Sequence, residues 1–147
     1  MFLRFKNFIL EIVFPVRCIA CQQEGELFCK NCVANIKLKK KQVCPICRRE
    51  NQFGRICESC ASANPNFYLD SLLIAANYEK ELELAQAVKT LKYKFSKNLA
   101  RNLAEILVRA IPQKSFTHES VVSFIPLHRK RLRWRGFNQA ELLARGV

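Results

Sequence analysis

Eight cysteines fall in four Cys-x-x-Cys pairs: Cys18/Cys21, Cys29/Cys32, Cys44/Cys47 and Cys57/Cys60. A two-residue spacing lets one tight turn aim two thiolates at a single tetrahedral ion, and two such knuckles supply the four sulfurs that suit Zn²⁺. Seven residues separate the first two knuckles and nine the second two, as expected of two consecutive small ribbons with one zinc each. Disulfides suit a secreted chain better, iron–sulfur clusters use other spacings, and a redox centre needs only one pair. A cross-braced alternative would join the first and third knuckles. Consecutive pairing is favoured because residues 33–43, with Lys37, Lys39, Lys40 and Lys41, read as a polar spacer between self-contained units. Four thiolates close the coordination shell, so both ions are expected to be structural.

The second chemical feature is cationic. Arg129, Lys130, Arg131, Arg133 and Arg135 crowd into seven residues directly after an apolar run, 121–127, that ends at Pro126-Leu127. Gly136 then frees the backbone, and Asn138 can cap the helix suggested by Ala140, Leu142, Leu143 and Ala144. A strand, a basic glycine-bearing loop and a helix start together make an anion cradle, where amide N–H groups and arginine forks converge on phosphate oxygens. The net charge of +13 and the pI near 9.7 predict attraction to nucleic acid, polyphosphate or acidic surfaces. The ribbons add Lys37, Lys39, Lys40, Lys41, Arg48, Arg49 and Arg55, with Phe28 and Phe53 available to stack on bases. The plainer reading of that segment is a scaffold with a solvated basic face.

Four segments must position these groups. Residues 1–16 read as an amphipathic leader helix, with Phe5, Phe8, Ile9, Ile12 and Val13 at helical spacing and Pro15 at its end. Residues 17–61 form the cysteine comb, and 62–68 a linker broken by Asn64-Pro65. From residue 69 the pattern is that of an α/β protein. A buried strand is expected over 72–76, and a helix over 81–95 on Leu84, Val88, Leu91 and Phe95. A second helix capped by Ser96 carries Leu99, Leu103, Ile106, Leu107 and Ala110, and a second strand covers 121–127. Strand, helices, strand and helix start favour a mostly parallel sheet. Glu11, Pro15, Arg17 and the lack of a small-residue cleavage site argue against a secretory signal, and no run reaches the roughly 18 apolar residues of a membrane span. A cytoplasmic location is expected.

With these motifs in order, the chain resembles the ComF family, double-zinc-ribbon phosphoribosyltransferase-like proteins of bacterial competence and DNA uptake. The resemblance is carried by the cysteine comb, Ala75-Ala76-Asn77-Tyr78, Leu91-Lys92-Tyr93, and the run Pro126, Leu127, His128, Arg131, Leu132, Arg135, Gly136, Phe137, Asn138, Gln139, Ala140. It implies a Rossmann-like type I phosphoribosyltransferase domain over 69–147, of which only the front part is represented. It also implies that Arg131, Arg135, Gly136 and Asn138 approach the diphosphate of phosphoribosyl pyrophosphate or another polyanion, with Lys92 as a further candidate. The family association implies a role with a competence helicase on incoming single-stranded DNA.

One departure matters. No two acidic residues are adjacent anywhere and only four glycines occur, so the acidic pair and glycine-rich loop that hold ribose 5-phosphate in such enzymes are missing. The expectation is a C-terminally truncated member that binds zinc and polyanions without catalysing transfer, and no catalytic residue is assigned. The alternative is a non-enzymatic zinc-ribbon module that binds single-stranded DNA.

Overall fold

The computed structural model describes residues 15–94, 96–112 and 119–147. The expected leader helix thus lies almost wholly outside the described residues. Within them the order is α1 (Lys30–Asn35), β1 (Gln42–Val43), β2 (Glu50–Asn51), α2 (Glu58–Ala63), α3 (Leu82–Tyr93), α4 (Leu99–Ala110), α5 (Arg129–Arg135) and α6 (Gln139–Ala144).

The cysteine comb folds as one unit used twice. Cys18 donates its N–H to the Gln23 carbonyl and accepts from Gln22 N, while Cys44 pairs with Arg49 and Arg48 in the same pattern, all at 2.9–3.0 Å. The residue just past each knuckle, Gln22 or Arg48, takes a left-handed φ of 62° or 60° to close the turn. The third and seventh cysteines, Cys29 and Cys57, then stand at the N-caps of α1 and α2 with extended backbone. Both helices are six residues long, too short to persist without an anchor at that end.

The expected helices are present, although Asn98 and not Ser96 stands at the N-cap of α4. α3 buries Ala87 and Leu91, with Leu84 and Val88 packed beside them, and α4 buries Leu99, Ala100, Leu103, Ala104 and Ile106 along one stripe. These meet Phe28, Val33 and Ile36 of the first ribbon and Phe137 near the C-terminus in a single core cluster. Phe28 is fully buried there, so it packs the core and does not offer itself to bases as the sequence suggested.

The sheet differs from expectation. Among the described residues the strands are β1 and β2 alone, paired antiparallel as Gln42 with Asn51 and Val43 with Glu50. No parallel sheet forms among them. The apolar run 72–76 is extended, yet its backbone goes to the ribbons. Ile56 N donates to Asp70 O and Leu72 N to Gly54 O, both at 2.9 Å, and Lys39 N donates to Ala75 O at 2.8 Å. The Gln42 amide completes this seam: Nε2 donates to Lys39 O and Ile74 O, and Oε1 accepts from Ile74 N. An apolar run declares that it wants cover and paired backbone, not which edge supplies them. The second expected strand, 121–127, forms neither strand nor helix and pairs with no strand among the described residues, and Val121 and Ile125 stand 89% and 83% exposed.

Candidate metal centres and the basic helix

Each ribbon gathers its four thiols into one cluster: Cys18, Cys21, Cys29 and Cys32 in the first, Cys44, Cys47, Cys57 and Cys60 in the second. The sulfurs of each set lie within 4.8 Å of one another. Cys21 Sγ sits 3.6 Å from Cys29 Sγ, and Cys47 Sγ 3.7 Å from Cys57 Sγ. A tetrahedral zinc with bonds of about 2.3 Å needs sulfur–sulfur edges of about 3.8 Å, so both sets fit the ion. Pairing is consecutive, as favoured from the spacing.

The donors are prepared for a cation. Burial pushes the Cys18 thiol up, but the backbone N–H groups of Cys29, Cys21 and Ala20 and the Cys21 side chain outweigh it and bring it to about 6. In the second site burial again opposes, and the N–H groups of Cys57, Cys47 and Ile46 with the Cys47 thiol hold Cys44 at about 6. Cys57 is lowered too, chiefly through Ser59 Oγ. Their neighbours move the other way: burial and the nearby sulfurs raise Cys32, while the Cys57 thiol, then burial, push Cys60 up to about 12. Four sulfurs this close cannot all ionise without a positive ion between them. Bound zinc would find no open coordination position in either set and would supply folding free energy, about 10–16 kcal/mol in small modules of this kind.

The basic segment expected as a loop is the helix α5. His128 caps it, its Nδ1 accepting from Lys130 N at 3.3 Å, and Gly136 ends it in the left-handed conformation at φ 75°. Arg129, Lys130, Arg131 and Arg133 are exposed, and among the described residues none of them is in an ion pair. Arg135 is different. It is buried, donates from NH1 to Gln139 Oε1 at 2.6 Å, and sets its guanidinium 5.7 Å from the Tyr93 ring and 5.9 Å from the Trp134 ring. Its Nε is buried without a hydrogen-bond partner.

Asn138 is also buried. It caps α6 by accepting from Ala140 N at 3.0 Å, as expected, and donates from Nδ2 to Ile125 O at 3.0 Å. Of the four residues assigned to a phosphate site, Arg131 and Gly136 are thus exposed, whereas the Arg135 and Asn138 side chains turn to internal partners. Lys92 lies half-buried in the last turn of α3, one residue before the tyrosine on which Arg135 stacks. Phe137 enters the core, with Lys97 Nζ 5.5 Å from its ring.

Comparison with known proteins agrees with this geometry. Residues 9–62, which include all eight cysteines, match the model of the double zinc ribbon domain family. Over 140 residues the chain is 27% identical to Competence protein F of Haemophilus influenzae, covering 89% of this chain and 58% of that protein. Over 135 residues it is 26% identical to Competence protein ComFC of Bacillus subtilis, covering 87% and 54%. The chain thus carries a double zinc ribbon and is similar over most of its length to two competence proteins. It spans just over half the length of these curated relatives. No solved structure matches, and no helix among the described residues is long and apolar enough to cross a membrane.

Three structural residues of this chain escaped the reading of its sequence. Gln42 is the seam just described. Asn102 Nδ2 donates to Phe28 O at 2.7 Å, and Arg109 donates from NH1 to Val33 O at 2.7 Å and from NH2 to Ala34 O at 3.1 Å. The last two lie seven apart on α4, hence on one face beside its apolar stripe, and that spacing was a signal available in the sequence.

Proposed function

We propose that this chain serves in competence and DNA uptake as a zinc-held platform presenting a polyanion-binding helix, within a phosphoribosyltransferase-like protein. The observation that carries the reading is the set Arg129, Lys130, Arg131 and Arg133, exposed on one short helix without ion pairs among the described residues. Exposed cations left without acidic neighbours keep their attraction for phosphate. The competence names of both relatives support the process. The finer reading, an open α/β phosphoribosyltransferase domain entered through 121–127, is supported by the motif running from Pro126 to Ala140.

The chain holds no adjacent acidic pair for ribose hydroxyls, so this polypeptide binds and does not transfer. Single-stranded DNA and a competence helicase are the partners proposed. Labelled single-stranded DNA bound to this chain provides the test. Displacement by phosphoribosyl pyrophosphate, but not by equal pyrophosphate, supports the phosphoribosyltransferase-like site. Equal displacement by both favours the rival reading of a non-enzymatic nucleic-acid module, and measurable pyrophosphate release by this chain overturns the non-catalytic assignment.

A further inference from the structure

The two zinc sites look alike in sequence and in knuckle geometry, yet their surroundings differ. Phe28, beside the ligand Cys29, is fully buried against the helices, and Cys18, Val33 and Ile36 belong to the same core cluster as Leu91, Leu99, Leu103, Ile106 and Phe137. No residue of 44–60 belongs to that cluster. Three hydrogen bonds from α4 also reach the first ribbon, one to the Phe28 carbonyl and two from Arg109 to the last carbonyls of α1. A guanidinium there satisfies acceptors that the helix cannot and faces the negative end of its dipole.

The second ribbon is held otherwise. Its helix α2 buries no residue, and the bonds outward from 50–63 run to the neighbouring segment at Asp70 and Leu72. Gln42, on β1, adds a side-chain seam to Ile74.

We infer that the two zinc centres are unequal: the first is the cornerstone of the core that carries the basic helix, and the second is an appended unit that can be emptied while that core stays folded. The coupling runs from the first zinc through Cys29 and α1 to α4, and from the shared core through Phe137 to Gly136 and α5. Metal loss or thiol oxidation at the first site therefore releases α5, whatever α5 binds, whereas loss at the second leaves it in place.

Two matched variants test this, because Cys21 and Cys47 are the exposed thiol of each site and their replacement removes no core packing. Cys21→Ser and Cys47→Ser are each prepared in the full chain. Zinc is counted by native mass spectrometry, amide exchange is followed in α4, and emission is recorded from Trp134, the single tryptophan. The expected result is loss of slow exchange at Leu103 and Ile106 with a change in Trp134 emission as it parts from Arg135 in Cys21→Ser, and neither change in Cys47→Ser. Loss of protection in both variants, or in neither, overturns the inference.

Should Cys21→Ser fail to accumulate, linkage supplies the reciprocal measurement. Arg109→Gln removes two charge-assisted bonds to α1, so it should weaken zinc at the first site by about tenfold or more and leave the second unchanged. Equal weakening at both sites, or at neither, contradicts the inference.

Discussion

Replacing Asn138 with alanine separates a structural role from a ligand-binding one. Asn138 makes two bonds, accepting from Ala140 N at the start of α6 and donating to Ile125 O, and its side chain is buried. Loss of a helix cap costs about 1 kcal/mol. Loss of a buried amide donor costs about another, since the exposed Ile125 carbonyl can turn to water. Asn138→Ala should therefore destabilise the chain by ~2 kcal/mol, about thirty-fold in the folding equilibrium. Asn138→Ser keeps a neutral cap acceptor and removes the donor to Ile125 O, so about half the loss should remain. Urea unfolding followed by Trp134 emission measures both. The reasoning fails if Asn138→Ala unfolds at wild-type urea concentration while polyanion binding disappears, for the side chain would then be a ligand contact.

Gly54 carries a second prediction. Its φ is 66°, and a Cβ there would lie 2.1 Å from the Leu72 carbonyl oxygen. Gly54→Ala should part residues 70–72 from the second ribbon, at about 1–2 kcal/mol for the backbone and about 1 kcal/mol for each bond lost, with faster exchange at Leu72 N and unchanged exchange in α4. Acid should remove zinc with a defined sign. Zinc binds the thiolates, and protons compete for the same sulfurs, so with Cys18 and Cys44 already lowered before metal binds, both ions should stay at neutral pH and be lost on acidification. A chromogenic chelator reading full release already at neutrality would contradict this. Arg135→Met should retain much of the core packing but lose the Gln139 bond and both ring contacts. An expected loss of about 1–3 kcal/mol is read by thermal unfolding, and wild-type stability would show that the guanidinium does not clamp α3 to α5.

The parts of the structure that repeat a local rule were legible in the residues. Cys-x-x-Cys spacing specifies knuckles, and the spacer with Lys37–Lys41 favoured the consecutive pairing that the structure has over a cross-braced one, because both depend on a few neighbouring residues. The stripes of α3 and α4 were legible for the same reason. Partnership was not. Neither 72–76 nor 121–127 forms the expected sheet strand, and the first is instead paired to the ribbons through Gln42 and Gly54, contacts set by the folded chain. The helix α5 was hidden by its charge: Arg, Lys, Leu and Trp suit a helix well enough, and reading them as a loop gave too much weight to Gly136, which ends the helix. Within the motif from Arg135 to Gln139, residue types that could hold phosphate also serve as cap, clamp and core, and only the geometry separates those uses.

The most direct test of the account is the salt dependence of single-stranded DNA binding by the wild-type chain and by a variant with Arg129, Lys130, Arg131 and Arg133 changed to glutamine. Each phosphate contact on a single strand contributes about −0.7 to the slope of log affinity against log salt, so four exposed cations should contribute about −3. The account predicts that the variant stays folded with both zinc ions and that its slope is shallower by about 3. An unchanged slope in a folded, zinc-replete variant would contradict it and place the polyanion contact elsewhere on the molecule.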